Sequence, residues 1–439
     1  MPTAFKKILV FILTWEARLV LWRYQPRIIA ITGSVGKTTT KDAIYAALAS
    51  SVHVRKSEKS MNSDIGVPLT ILGQGNGWRN PVKWMVHIVR GFLPVILPHK
   101  YPDWLVLEVG ADRPGDIRSL ARWLRPDIAV LTGVPKIPVH VEYFPSSEDV
   151  AREKQTLLEY VRPGGSIIVN GDDARLQELK RNMKEGCVTY GIESFNDFFA
   201  TGVSIVYEKG MPGGVSFEMH RTDTSEQVTL HGSLGIPRVY SALAAFAAAE
   251  IVGIDKAAAA RSLQGLAPSP GRMRILNGVR DSILIDDTYN SSPAAVLSAL
   301  DTIKEIKKMP AGKSKPKRKI AILADMLELG KYSSEAHRQV GTRAAACVDV
   351  LITVGFRARG IAEAALDAGM PDINIRQYEH NEAARAGKEL ERELQKGDIV
   401  LVKGSQSMRM ERAVEEIMAE PEHAANLLVR HDEEWLAKE

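Results

Sequence analysis

Apolar residues in this chain fall into two kinds of pattern. Short unbroken runs at 28–32 (I-I-A-I-T), 104–108 (W-L-V-L-E), 128–132 (I-A-V-L-T) and 166–170 (S-I-I-V-N) have no polar alternation, as expected of strands covered on both faces. The same kind of run recurs at 282–286, 319–324, 349–354 and 398–402, and helix-compatible stretches separate the runs. This order predicts α/β architecture with parallel sheets. Between Thr201 and Thr229 the pattern changes to alternation (V-S-I-V-Y-E, G-V-S-F-E-M-H, Q-V-T-L-H), which predicts β-hairpins turning at Gly-Met-Pro-Gly-Gly. Ala242 to Val252 is alanine-rich and reads as a helix packed in a core.

The N-terminus carries a helical period. Phe5, Ile8, Leu9, Ile12, Trp15, Leu19 and Trp22 recur at helical spacing, with Lys6, Lys7, Arg18 and Arg23 among them. Glu16 and Arg18 interrupt the stretch before the ~20 apolar residues that a spanning helix needs. No small-residue cleavage site follows, so a signal peptide is not expected. The pattern predicts an amphipathic helix packed on its own domain, and it also suits a helix lying on a membrane surface. A second apolar, basic, tryptophan-bearing stretch runs from Trp78 to Lys100, where Pro81, Pro94 and Pro98 argue against a span. Residues 5–24 and 78–100 are therefore candidates for peripheral membrane contact.

Composition narrows the reading a little. A chain of 439 residues is too long for one core and implies more than one domain. A net charge of +4 gives no case for nucleic acid as a partner. Cys187 and Cys347 lie far apart without metal-ligand spacing, and a reducing, cytoplasmic compartment fits so few cysteines. The Lys313–Lys319 run (K-S-K-P-K-R-K) reads as a solvated loop.

The chemistry begins after the first strand. Residues 27–40 read R-I-I-A-I-T-G-S-V-G-K-T-T-T: a strand, a glycine-bracketed turn and the start of a helix. That is the layout of a phosphate-binding loop in the short G-x-x-G-K-T form, because position 31 is Ile rather than Gly. Gly33 and Gly36 allow backbone N–H groups of Gly33, Ser34, Val35 and Gly36 to approach a polyphosphate. Lys37 can reach the β- and γ-phosphates, and the Thr38 hydroxyl, with Thr39 beside it, can face Mg²⁺. Glu108 closes the 104–108 strand as a candidate second magnesium contact. On their own, His140 reads as a loop histidine and Lys154 as a solvated helix residue.

Together these segments resemble the Mur ligases, the ATP-dependent amide-forming enzymes of cell-wall peptide assembly, from about Arg27 to Met418. The resemblance is carried by T-G-S-V-G-K-T-T-T, N-S-D-I-G-V-P (Asn62 to Pro68), L-E-V-G-A-D-R-P-G-D-I (Leu107 to Ile117), H-V-E-Y-F before Lys154, and V-N-G-D-D (Val169 to Asp173). P-G-R-M-R (Pro270 to Arg274), I-D-D-T-Y-N-S-S-P (Ile285 to Pro293), A-D-M-L-E-L-G (Ala324 to Gly330) with His337, and V-K-G-S-Q-S-M-R-M-E (Val402 to Glu411) resemble the branch that adds D-Ala-D-Ala.

The resemblance implies a P-loop ATPase domain with a mainly parallel sheet at 27–268 and a Rossmann-like, doubly wound α/β domain at 269–439, after a helical extension at 1–26. It implies two-step ligation. ATP converts a muramyl-peptide-like carboxylate to an acyl phosphate, and an amine such as D-Ala-D-Ala then attacks it. Lys37, Glu108, His140, Lys154 and Arg272 are the implied catalytic residues, with Arg238, Asp287 and Tyr289 joining the loop in nucleotide binding. Two Mg²⁺ ions would be shared among Thr38, Glu108, His140 and a carbamylated Lys154. A related amide ligase acting on another carboxylate, or a non-catalytic descendant, is the alternative.

Four departures stand out. The family module that grips the UDP-sugar is not expected, because the loop starts at Gly33. The family T-N pair reads Thr132-Gly133, and the family H-N-x-x-N segment reads Pro237-Arg238-x-x-Ser241. Asp64 stands where Asn, His or Glu is common. The reaction implied is cytoplasmic, at most peripheral to the inner face of the membrane.

Overall fold

The computed structural model describes residues 3–78, 80–176, 186–222, 224–307, 318–431 and 435. Among these residues the chain forms two sheets. The first takes β1 (Arg27–Thr32), β2 (Val54–Lys56), β3 (Trp104–Glu108), β4 (Ile128–Leu131), β5 (Ser166–Asn170), β6 (Cys187–Gly191), β7 (Phe198–Glu208), β8 (Met211–Arg221) and β9 (Thr224–His231). Their order is β2-β3-β1-β4-β5-β6-β7-β8-β9, parallel as far as β7 and antiparallel beyond it. The second takes β10 (Arg274–Gly278), β11 (Ser282–Asp287), β12 (Lys319–Ala324), β13 (Val350–Val354), β14 (Ile375–Tyr378) and β15 (Ile399–Lys403), in the order β10-β11-β15-β12-β13-β14. Only the β10–β11 pair is antiparallel.

The unbroken apolar runs have the predicted cause. Alternate residues of one strand enter different cores: Ile29 and Ile31 face one cluster with Val106 and Val130, while Ile28 and Ala30 face another with Leu105 and Leu131. Helices cover both faces, so neither set of side chains meets water. In β1 the chain order of neighbouring strands reverses, with β3 on one side and β4 on the other. That switch point opens a crevice at the carboxyl ends of the strands, where open α/β sheets bind ligands.

The helices that surround the crevice or brace its sheet include α1 (Thr3–Tyr24), α2 (Lys37–Ala49), α3 (Gly66–Leu72), α4 (Pro81–Ile96), α5 (Asp116–Leu124) and α6 (Ser147–Gln155). α1 buries Leu9, Leu13, Ala17 and Val20, one stripe at helical spacing, in the core beneath β1 and β3. Asn80 starts α4 by accepting hydrogen bonds from Val82 N and Lys83 N, with Pro81 at the first helical position. α4 crosses α1 where Gly91 meets Glu16: a Cβ at Gly91 would lie 2.1 Å from Glu16 Oε2. Trp15 stacks edge-on against Phe92, and Tyr24 OH donates to Pro94 O at 2.7 Å.

Two sequence expectations need correction. The first hairpin turns at Lys209–Gly210, not at Gly-Met-Pro-Gly-Gly, and Met211 to Gly214 lie inside β8. Lys209 and Gly210 both have positive φ, 49° and 81°, the backbone hand of a two-residue turn that matches strand twist. The Lys313–Lys319 run lies outside the described residues except for its last two positions. Lys319 is no loop residue; it opens β12, buried, with Nζ donating to Lys304 O at 2.6 Å.

The two sheets are joined at several points. Leu234 N donates to Met273 O at 3.1 Å and Ile275 N to Gly232 O at 2.9 Å, beside the covalent connection. Far along the first sheet, Ile205, Tyr207 and Met211 pack on the core of the second, and Lys307 N donates to Tyr207 OH at 2.8 Å.

Candidate active site

The turn after β1 is shaped by two glycines. Gly33 has φ 142°, and a Cβ there would stand 1.9 Å from Thr132 Oγ1 on the neighbouring strand. Gly36 is left-handed, φ 82°, and caps α2 without a side-chain hydrogen bond. The N–H groups of the first turn of α2, Lys37 onward, therefore have no side-chain cap, the usual arrangement of an anion site. Ser34 N and Val35 N behave otherwise than expected: both donate to Gly133 O, at 3.1 and 3.3 Å. Lys37 Nζ donates to Gly33 O at 2.9 Å, and burial pushes its pKa down against the attraction of Glu108.

Beside the loop, Thr38 Oγ1 donates to Glu108 Oε2 at 2.9 Å. Glu108 is buried, and its other oxygen accepts from Asn62 Nδ2 at 2.9 Å. Ser60 Oγ lies 3.1 Å from Thr38 Oγ1. From the second sheet's part of the chain, Arg272 Nη2 reaches Thr38 Oγ1 at 3.3 Å while its guanidinium lies 3.9 Å over the Tyr289 ring. Asp287, at the end of β11, is held by Lys403 Nζ at 2.6 Å, a pair buried on both sides. These groups line one cavity of about 600 Å³, open between the two sheets, which also includes Thr39, Asp112, His140, Arg238 and Glu328.

Of the remaining expected residues, His140 and Arg238 line the cavity and Lys154 does not. His140, left-handed at φ 64°, has Nδ1 2.6 Å from Glu328 Oε2 and Nε2 3.8 Å from Asp112 Oδ1. Glu142 N donates to Glu328 O at 3.3 Å, so this corner too joins the two halves. Lys154 of α6 is buried rather than solvated, and its Nζ donates to Ala111 O at 3.2 Å. Burial, and then the charge of Lys37, push its pKa down to about 7. Arg238 is buried, with Nη2 donating to Leu266 O at 3.2 Å, and burial lowers its pKa to about 10. Ser241, in the altered segment, accepts from Thr40 Oγ1 at 3.2 Å and so braces α2.

The cavity has the features of a ligand site. Ser34 Oγ, Arg238 Nε, Arg272 Nε and Ser291 Oγ are buried around it without a protein hydrogen-bond partner. Buried donors of that kind are costly unless a ligand completes them. The donor set at Thr38 and Glu108 is all oxygen, as magnesium requires. Of the expected metal ligands, Thr38 and Glu108 touch each other, while His140 lies beside Glu328 and Asp112 and Lys154 donates to a backbone carbonyl. Among the described residues, no group of three or more His, Cys, Asp or Glu side chains is arranged to hold a metal.

Asp112, Ser60, Asn62, Glu328 and Lys403 also line the cavity, and the sequence does not mark them as site residues. Each lies in a segment that carried the resemblance or close to one, yet nothing in its local pattern distinguishes it from a turn or strand-end residue.

Comparison with known proteins agrees with this geometry. The Mur ligase middle domain matches residues 31–80 and 94–249, and the Mur ligase glutamate ligase domain matches residues 271–406. The UDP-N-acetylmuramoyl-tripeptide--D-alanyl-D-alanine ligase of Bacillus subtilis is 29% identical over 406 residues, covering 92% of this chain and 79% of that protein. The enzyme of the same name from Synechocystis is also 29% identical, over 91% of this chain and 76% of its own length. The MurF ligase of Thermotoga maritima, solved in complex with ADP, superimposes with a TM-score of 0.74 at 26% identity, covering 93% of this chain and 83% of that one. With both domain descriptions matched in sequence order and the cavity lying where they meet, the chain belongs to the Mur ligase family.

Proposed function

We propose that this chain is an ATP-dependent amide ligase of peptidoglycan precursor synthesis, joining D-Ala-D-Ala to the carboxylate of a muramyl peptide. Residues 27–268 would bind ATP, residues 269–439 would complete the site, and residues 1–26 form an extension. One observation carries the reading: Arg272 reaches across to the Thr38 hydroxyl of the phosphate loop, so one cavity holds groups from both halves. A ligase must hold an acyl phosphate away from water until the amine arrives.

The residues divide the work by position. Lys37 and the first turn of α2 orient the β- and γ-phosphates. Arg272, stacked on Tyr289, is placed to meet negative charge as it moves from the γ-phosphate to the substrate carboxylate. Arg238 Nε and Ser34 Oγ are further donors toward nucleotide. Asp287, fixed by Lys403, lines the cavity with Tyr289 on the nucleotide side. Mg²⁺ would be held by Thr38 and Glu108, and a second ion by His140 and a carbamylated Lys154. They would supply neutralisation of the phosphate charge. A Lys154 pKa near 7 leaves much of the amine neutral, the form that takes up carbon dioxide. The reading includes a cytoplasmic location, with peripheral membrane contact through residues 5–24 and 78–100.

The test is ADP release coupled to product analysis, over a panel of UDP-muramyl peptides and dipeptides. ADP formed in step with amide, and only when both substrates are present, supports the reading. ATP turnover independent of either substrate overturns it. Lys37→Ala should lower kcat by about 10²–10³-fold, as loss of one charge-stabilising donor does, without loss of the folded state.

A further inference from the structure

Among the described residues, seventeen large apolar side chains are strongly exposed, and twelve of them lie on α1, α4 and Leu97 just after α4. They form two stripes, one per helix. Phe11, Trp15 and Trp22 stand on the side of α1 away from its buried stripe, and Met85, Val89 and Ile96 line α4. The helices cross at Glu16 and Gly91, so the stripes are neighbours. Scattered exposed apolar residues need no explanation, but a concentration of this size marks a contact surface.

The exposed charge on the two segments has one sign. Residues 1–24 and 78–100 contain a single acid, Glu16, and it is buried. Lys7, Arg18, Arg23, Lys83, Arg90 and Lys100 are exposed on the same segments. Along the flank of α1 runs a shallow groove of about 590 Å³, in which Arg18 and Arg125 stand with Trp22 and Trp123. Its other arginine, Arg162, is shared with Asp127 at 3.3 Å, and Lys6 pairs with Asp64 at 3.2 Å. Tryptophans beside cations around an apolar face are the composition of a bilayer interface. The middle-domain match starts at residue 31, after α1, and skips residues 81–93, which fall within α4. No described helix is long and apolar enough to cross a membrane.

We propose that α1 and α4 form a docking surface for an anionic phospholipid bilayer. Both helices lie in the headgroup layer, with their apolar stripes in the acyl boundary and the Arg18–Arg125 groove receiving lipid phosphate. The inference deepens the location named in the proposed function but does not depend on the ligase chemistry, since vesicle binding is read without ATP or peptide.

The experiment is co-sedimentation of the full chain with phosphatidylglycerol-containing vesicles and with pure phosphatidylcholine vesicles, at low and high salt. Binding to the anionic vesicles, weakened by salt and much weaker on phosphatidylcholine, is expected. Each Lys or Arg near an anionic surface contributes a factor of about five, so Lys7→Ser, Arg18→Ser and Arg125→Ser combined should weaken binding about a hundredfold. A second variant, Phe11→Ser, Trp22→Ser, Met85→Ser and Ile96→Ser, should abolish it, with thermal unfolding confirming that both variants fold. Absence of binding to anionic vesicles at low salt overturns the proposal. Equal binding to both vesicle types overturns it as well. So does a dimer in analytical ultracentrifugation that the apolar variant dissolves while the intact chain leaves vesicles unbound, which would assign the face to a second copy.

Discussion

At the scale of single residues, the site depends on groups that prepare others. Glu328 comes from the second half of the chain and places an oxygen 2.6 Å from His140 Nδ1, leaving Nε2 to face the cavity rim. Such an outer partner fixes ring orientation, and its loss typically costs about 10–100-fold in activity or metal affinity. Glu328→Ala should therefore lower kcat by about 10–100-fold while the KM for ATP stays within a small factor, checked by steady-state kinetics. Lys154 makes a second prediction. Lys154→Ala should lose activity and regain part of it with added short carboxylates, which supply the oxygens a carbamate would. With ¹³C-bicarbonate the unsubstituted protein should show a carbamate carbon signal that Lys154→Ala lacks. A lysine with its pKa near 7 should lose that signal as pH falls below about 7, because the protonated amine cannot carry it.

At the scale of elements, legibility followed burial. Strands such as Ile28–Thr32 and Ile128–Leu131 could be read from sequence because covering a sheet on both faces leaves no place for a polar residue. The phosphate loop could be read because Gly33 and Gly36 answer local constraints, a contact with Thr132 and a left-handed cap. The β7–β8 turn was misplaced because Gly210 to Gly214 is rich in turn formers, whereas the backbone reverses over only two residues. Glu328 and Asn62 stayed hidden because their partners, His140 and Glu108, are distant in sequence. Nor could the sequence tell that Glu16, read as an interruption of an apolar helix, is buried against α4 with neither oxygen hydrogen-bonded. Burial raises its pKa from 4.5 to about 7. The folded state then holds a proton that the unfolded chain releases, so stability is greatest below pH 4.5 and falls as pH rises towards 7. Glu16→Gln should raise the unfolding temperature by several degrees at about pH 8 and leave it nearly unchanged at about pH 4, measured by calorimetry.

At the scale of the molecule, the arrangement described is a closed one. Arg272 touches Thr38, Ser269 Oγ donates to Asp42 Oδ2 at 2.8 Å, and Glu142 N donates to Glu328 O. If closure is what protects the intermediate, Arg272→Ala should uncouple the reaction. ADP release should then exceed amide formation, with the excess appearing as phosphate from hydrolysed acyl phosphate. Phosphate and amide measured in the same sample check this. Equal yields of the two would show that Arg272 serves binding alone.

The contact between Tyr207 and Lys307 has a mechanical meaning. A single covalent connection would let one half swing about any axis through it. Here the tip of the β7–β8 hairpin is a second attachment point, sequence-remote from the connection near Leu234 and Met273. Two fixed points define a line, and bodies joined along a line keep only rotation about it, as a door does on two hinges. An opening that kept both attachments would move the halves along one track, on which Arg272 leaves and regains its place over Thr38.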